Sequence, residues 1–279
     1  MRDVREAAVD ANVDGDALPP IDATLRDANR TGCPEAGATT IYAITVGNQL
    51  LQFYPPDGTF STVGTIACPV ANGETPFSMA VARDGTAYVV FSDEHLYRVN
   101  TATAACTATT YVPRQSNFGL FGMGFATNDV GPTETLYVAG YGRNGGASGL
   151  ASIDTTTFAL SPVGDFSPAI DEAELTGTGD GRLFAFYHKA GGSPPTFIGE
   201  IETTTANVVG EKELTNVDQG AGWAFAFWGG DFYVFHAPGG STVVTRYRPA
   251  DDTVVDVAML ADDHVVGAGV STCAPSGGQ

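Results

Sequence analysis

The hydrophobic positions of this chain gather in short runs, each closed by glycine, aspartate or threonine. Gly181-Arg182-Leu183-Phe184-Ala185-Phe186-Tyr187 and Gly230-Asp231-Phe232-Tyr233-Val234-Phe235 show the pattern most clearly. Each is a polar turn opening a short aromatic run, which predicts a β-strand. The signal recurs upstream at Thr40–Ile44, Gly85–Val90 and Glu134–Val138. Its aromatic falls at Tyr42, Tyr88, Tyr137, Phe184 and Tyr233, with gaps of 46, 49, 47 and 49 residues by subtraction. Repeats of that length, filled with strands and turns, predict propeller blades.

Within a repeat the strands follow one order. In the second, Phe77–Ala82 predicts an innermost strand and Arg83-Asp84-Gly85 a hairpin turn. Thr86–Phe91 and His95–Val99 predict the next two strands, and Cys106–Val112 the outermost. Innermost strands crowd the axis and favour small residues, as in Gly122–Ala126, Leu175–Gly179 and Ala221–Ala226. The first repeat lacks such a strand before Thr40, and the missing piece stands at the other end, as Val265–Thr272. The expected fold class is therefore all-β: a single five-bladed propeller of four-stranded antiparallel blades. Its first blade is closed by the C-terminal strand.

Residues 1–32 depart from this pattern. They are rich in Ala and Asp, contain no aromatic residue, and are interrupted by Pro19-Pro20. Such a segment buries too little apolar surface to offset its ordering entropy. The expectation is a disordered acidic tether over 1–32 and a propeller domain over 33–279.

Three stretches carry a family resemblance: Phe225–Phe235, Thr245–Pro249, and the ending Val266–Pro275. Together they resemble uncharacterised exported β-propeller lipoproteins of the myxobacterial type, over nearly the whole chain. That resemblance implies an envelope location with an N-terminal membrane tether, and leaves activity undefined. The anchor cysteine of such lipoproteins is missing, since Cys33 follows the tether.

Charge narrows the partners. The formal net charge is −19, and Lys189 and Lys212 are the only lysines. A chain so acidic is repelled by nucleic acid and by anionic membrane surfaces, so no nucleic-acid partner is expected. Solubility is the plain reading of that charge, and cation binding the sharper one. The 279 residues contain no run of 18 apolar positions long enough to span a bilayer. Four cysteines in a chain of this composition read as two disulfides, and so as export. An apolar signal region is absent from the N-terminus, which agrees with export if the signal has been removed. Cys33 should meet Cys273, because the first blade joins both ends of the chain. Cys68 and Cys106 would then fall on the outer strands of the first two blades and staple these neighbours.

Catalytic and cofactor motifs are missing. There is no CxxC or CxxCH, no phosphate-cradling glycine loop and no GxSxG elbow, so neither cofactor nor metal is expected. The chemical leads are carboxylates at the inlets of innermost strands. Asp171, Glu172 and Glu174 precede the fourth, and Asp262 and Asp263 precede the closing strand. Inlets from successive blades converge on one channel mouth, where His188 and Trp223 also fall. These seven residues are the candidate ligand-binding set, and no catalytic residue is assigned. Aromatics beside carboxylates suit a carbohydrate or a peptide. Solvated loop acids and space-filling aromatics are the plain alternative.

The leading expectation is an exported, non-enzymatic propeller that binds a ligand or protein partner at its mouth or rim. One alternative is a glycosidase-like hydrolase using funnel carboxylates, which needs two carboxylates roughly 5–10 Å apart. Another is a structural protein of the envelope or surface assembly.

Overall fold

The computed structural model describes residues 17–24, 33, 40–128, 132–142, 148–191 and 194–275. Twenty strands form five four-stranded antiparallel sheets arranged as blades. Blade I holds β1 (Ile41–Thr45), β2 (Gln49–Tyr54) and β3 (Thr59–Thr65), completed by β20 (Val265–Gly269). Blade II runs β4 (Pro76–Val81), β5 (Thr86–Phe91), β6 (Leu96–Asn100), β7 (Cys106–Ala108). Blade III runs β8 (Phe121–Thr127), β9 (Glu134–Tyr141), β10 (Ser148–Ile153), β11 (Leu160–Gly164). Blade IV comprises β12 (Ile170–Gly177), β13 (Leu183–Lys189), β14 (Thr196–Ile201) and β15 (Val208–Leu214). Blade V comprises β16 (Trp223–Trp228), β17 (Asp231–His236), β18 (Thr242–Arg248) and β19 (Thr253–Leu260).

The repeating aromatic marks the second strand of every blade, and its cross-strand partner explains the period. Tyr42 opposes Gly269, Tyr88 Ala80, Tyr137 Gly124, Phe184 Thr176 and Tyr233 Ala226. A large ring on the second strand thus stands beside a small residue on the inner one. The inner strands meet one another in the order β4, β8, β12, β16, β20 and back to β4. That approach is too close for side chains at some points. A Cβ at Gly122 would lie 2.1 Å from the Ala173 carbonyl oxygen, and one at Gly177 2.2 Å from that of Phe125.

Each seam between neighbouring blades is filled by its own hydrophobic cluster. Phe184, Phe186, Phe225 and Phe232 fill the seam between blades IV and V, and all are buried. Burying one such side chain is worth about 1.5–3 kcal/mol, so the seams hold most of the stability.

Two disulfides fasten the ends. Cys33 joins Cys273 across 240 positions, and Cys68 joins Cys106 across 38. Both cysteines of the second bond border the cluster between blades I and II. They suggest folding in an oxidising, exported environment. Two details differ from expectation. The outer strand of blade II stops at Ala108, because Tyr111 turns in to the seam cluster and the chain bends into a 3-10 turn at Gln115–Asn117. Cys68 lies in the connection after β3 rather than on the strand.

Within the segment expected as a tether, residues 17–24 lie on the propeller. The Pro19 carbonyl accepts a hydrogen bond from the Glu211 N–H at 2.8 Å, and the Asp22 carbonyl accepts one from Arg182 at 2.8 Å. Ile21 is buried in the seam between blades IV and V. Pro19-Pro20 holds the chain extended, and Leu18 and Ile21 supply the apolar contact. The rest of the expected tether, 1–16 and 25–32, lies outside the described residues.

Candidate functional site

The channel has two ends and a closed waist. Ala80, Met123, Leu175 and Ala268 come together at the waist and leave no space for a water molecule.

At the end where the innermost strands begin, a recess of about 260 Å³ opens between blades. Val46, Pro76, Phe77, Tyr141, Trp223 and Val266 make its apolar lining. The rings are ordered against one another. Tyr141 stacks on Trp223 with the planes 7° apart and centroids 6.2 Å apart, and Phe77 meets Tyr141 edge-on at 4.9 Å. Tyr141 is buried by these neighbours, while Phe77 and Trp223 stay partly open to the recess. The Trp223 indole N–H faces the Tyr141 hydroxyl and eases its ionisation, but falls short of hydrogen-bond geometry.

Glu174 lies beneath these rings. Its carboxylate is 1% exposed and ties three blades: it accepts from Ser78 Oγ at 2.7 Å and from the Tyr141 hydroxyl at 3.1 Å. Burial pushes the Glu174 carboxyl well above the usual range, against the opposing pull of its hydrogen-bond donors. Burial likewise raises the Tyr141 phenol, and the Glu174 and Glu172 carboxylates add to the shift. The buried acid orients Tyr141 from below and braces the stack above it.

The other sequence candidates separate. A β-bulge between Asp171 and Glu174 breaks the alternation along β12. Asp171 stands opposite His188 in the register, and Glu172 takes a backbone φ of 47°. The Glu172 carbonyl accepts from Gln219 Nε2 at 3.1 Å, linking blade IV to the loop before β16. His188 is buried, with Nε2 4.0 Å from the Asp218 carboxylate. Asp263 accepts from the His264 N–H at 2.8 Å, and its carboxylate lies beside Gly47, next to Val46 of the lining. Asp262 is exposed on the same loop. Of the seven candidates, Trp223 lines the recess and Glu174 supports it from within the wall.

Phe77, Pro76, Val46 and Val266 escaped notice as site residues. Phe77 carried the one available signal: a large ring at the start of an inner strand, as Trp223 is at the start of β16. Ser78 gave no sign, because only the fold carries its hydroxyl to Glu174, 96 positions away.

The opposite end is filled by protein. Arg83 donates from Nε to Thr272 Oγ1 at 2.8 Å and from Nη1 to the Pro132 carbonyl at 3.1 Å. Glu134 accepts from the Arg83 backbone N–H at 2.7 Å and from Thr272 Oγ1 at 2.9 Å. Burial raises the Glu134 carboxyl, while those donors and the Arg83 charge hold it down.

No protein-family profile matches the sequence, and no curated protein matches it. Solved structures do. A chain of the nidogen/laminin complex is similar over 83% of this chain and 97% of its own, at 11% identity and a TM-score of 0.51. TolB from Acinetobacter baumannii is similar over 86% of this chain and 69% of its own, at 11% identity and a TM-score of 0.48. At such identities the likeness concerns fold alone.

Proposed function

We propose that this protein is an exported binding module whose ligand or protein partner seats at the aromatic channel mouth. The observation that carries this reading is the recess lined by Phe77 and Trp223 above a closed waist. Enclosed apolar walls with a few ordered polar groups are what a binding site needs. Glycoside hydrolysis would require two free carboxylates facing each other across the channel. Glu174 instead spends its oxygens on Ser78 and Tyr141, and so holds the wall together. A protein partner also suits the fold, since one similar chain belongs to the nidogen/laminin complex. In the same reading, the segment ahead of the docked residues 17–24 is a spacer leading to an envelope anchor, as in the exported propeller lipoproteins that the sequence resembles.

Glycan and peptide arrays probed with the wild-type protein and with Trp223→Ala test the proposal. Spots bound by the wild type and lost in the variant support a mouth site. Binding that survives unchanged in Trp223→Ala moves the site to the rim and overturns it. Hydrolysis of any member of an aryl-glycoside panel would replace binding by catalysis.

A further inference from the structure

The wall of the mouth that carries Trp223 is fastened at one residue. Asp218 lies in the loop that leads into β16, and two of the chain's four histidines converge on it. His236 of β17 meets the Asp218 carbonyl through Nδ1 at 2.9 Å, and His188 of β13 stands with Nε2 4.0 Å from the Asp218 carboxylate. Both imidazoles are buried. Three residues on, the Ala221 N–H donates to the Ala237 carbonyl at 2.9 Å, and the Ala237 N–H donates to the Gly222 carbonyl at 2.9 Å. Ala221, Gly222 and Trp223 then line the recess.

From its other nitrogen His236 continues outward across blade V. Nε2 lies 2.9 Å from Thr245 Oγ1, and Thr245 Oγ1 lies 2.7 Å from Asp256 Oδ1. This relay has fewer protons than bonds. A carbonyl only accepts, so the bond to Asp218 needs a proton on Nδ1. The neutral ring then has a bare Nε2, the hydroxyl owns one proton, and an ionised carboxylate owns none. Two protons cannot fill three bonds. We infer that His236, Thr245 and Asp256 form a site for a third, shared proton, whose arrival tightens the grip on the loop that carries the recess wall. With that proton the ring is an imidazolium and both of its bonds are charge-assisted, roughly twice as strong as neutral ones. Without it, Thr245 turns its hydrogen to Nε2 and leaves the exposed Asp256 carboxylate to water. The bond to Asp218 then persists in its weaker, neutral form.

The groups around the ring place the switch. Burial lowers the proton affinity of His236, opposed by the Asp218 carbonyl and by the Asp256 and Asp218 carboxylates. The proton therefore binds on the acid side of the ordinary imidazole value. Asp171 faces His188 in the register, and His264, ahead of β20, lies close to Gly222 of the same loop. Arg246, next to Thr245, turns to Asp231 at 3.6 Å, and Lys212 of β15 pairs with Asp252. The consequence for binding rests on the mouth as the site; the proton site does not.

The test follows the His236 ring by nitrogen–proton correlation in the full-length protein, from pH 4 to pH 8. Thr245→Val and Asp256→Asn should each make the ring lose its proton at a lower pH, since each cuts the relay. Asp256 is exposed, so its variant keeps the fold. Protection of the Ala221 and Ala237 amides, corrected for intrinsic exchange, should be about fivefold higher below the transition than above it. That is the difference between a charged and a neutral hydrogen bond. The step should move with the ring in both variants. A step that tracks the His188 or His264 ring instead, or a His236 titration identical in all three proteins, overturns the inference. A ligand found on the arrays should bind tighter below the transition, and that gain should move with the ring in Asp256→Asn. Binding through Trp223 that ignores the titration overturns the coupling and leaves the mouth site standing. A ring and loop that titrate together in a protein whose mouth binds nothing support the proton site and remove the mouth reading alone.

Discussion

The two ends of the channel are built from equivalent strand ends, yet one is filled and the other is open. At the filled end the described groups Arg83 and Glu134 find partners on another blade and on the C-terminal segment. Arg83 reaches Thr272 and Pro132, Glu134 takes two donors, and Cys273 is bonded to Cys33. At the mouth, the aromatic faces of Phe77 and Trp223 remain partly open. Interlocked polar groups make a plug, and open aromatic surface makes a site. The comparison teaches that the ring itself does not decide which end functions; the side chains placed at each end do.

Breaking the plug should be the most damaging change. Cys273→Ser releases the closure across 240 positions, which in the loop-entropy model is worth roughly 5 kcal/mol. Denaturant unfolding should show a lowered midpoint of that size, with blade I exchanging its backbone amides first. A midpoint within 1 kcal/mol of wild type would mean that the seam between blades V and I closes the ring without help.

Arg83→Met comes next. It leaves buried acceptors on Thr272 and Pro132, and strips Glu134 of the nearby positive charge. Hydrogen bonds from a charged group are worth about 1.5–3 kcal/mol, so a loss near 3 kcal/mol is expected in the same measurement. Peptide or glycan binding at the mouth should be unchanged, because the waist separates the two ends.

Glu174→Gln has a smaller effect with a distinctive pH dependence. The Glu174 carboxyl is raised above its unfolded value by burial. Folding therefore takes up a proton in the window between the two values, and stability falls as pH rises through that window. Glutamine keeps the shape and cannot ionise. The variant should match the wild type near pH 4 and exceed it at pH 8 in urea midpoint. Parallel pH curves for the two proteins would show that Glu174 ionises as easily as an exposed acid. Since Glu134 is also raised, the difference between the curves, and not the wild-type slope alone, isolates Glu174.

Trp223→Ala should perturb stability least, by about 1 kcal/mol, since the ring is partly open. Its consequence lies in function: mouth binding should be lost while the fold persists by circular dichroism. Loss of binding in Arg83→Met but not in Trp223→Ala would reverse the assignment of the two ends.

The architecture was written in local pattern. Turn residues, aromatic runs and the spacing from Tyr42 to Tyr233 depend on neighbours a few positions apart, and such patterns survive in one dimension. The missing inner strand of blade I and its replacement at Val265 follow from the same count, and the Cys33–Cys273 bond follows from the closure. The mouth was only partly legible. Inlet positions placed Trp223 near it, because every blade presents its inlet at the same end.

What tertiary structure alone decided was which groups meet across blades. Asp171, Glu172 and Glu174 look equivalent in sequence, but the bulge in β12 sends them to different surroundings. Glu174 turns inward to Ser78 and Tyr141, and no short-range pattern encodes that meeting. Residues 17–24 carry the composition of a tether, yet two apolar side chains and an extended proline pair find a seam to lie on. Composition sets how much a segment can bury. Whether a complementary surface is there to receive it depends on residues nearly two hundred positions away, and only the folded chain brings those together.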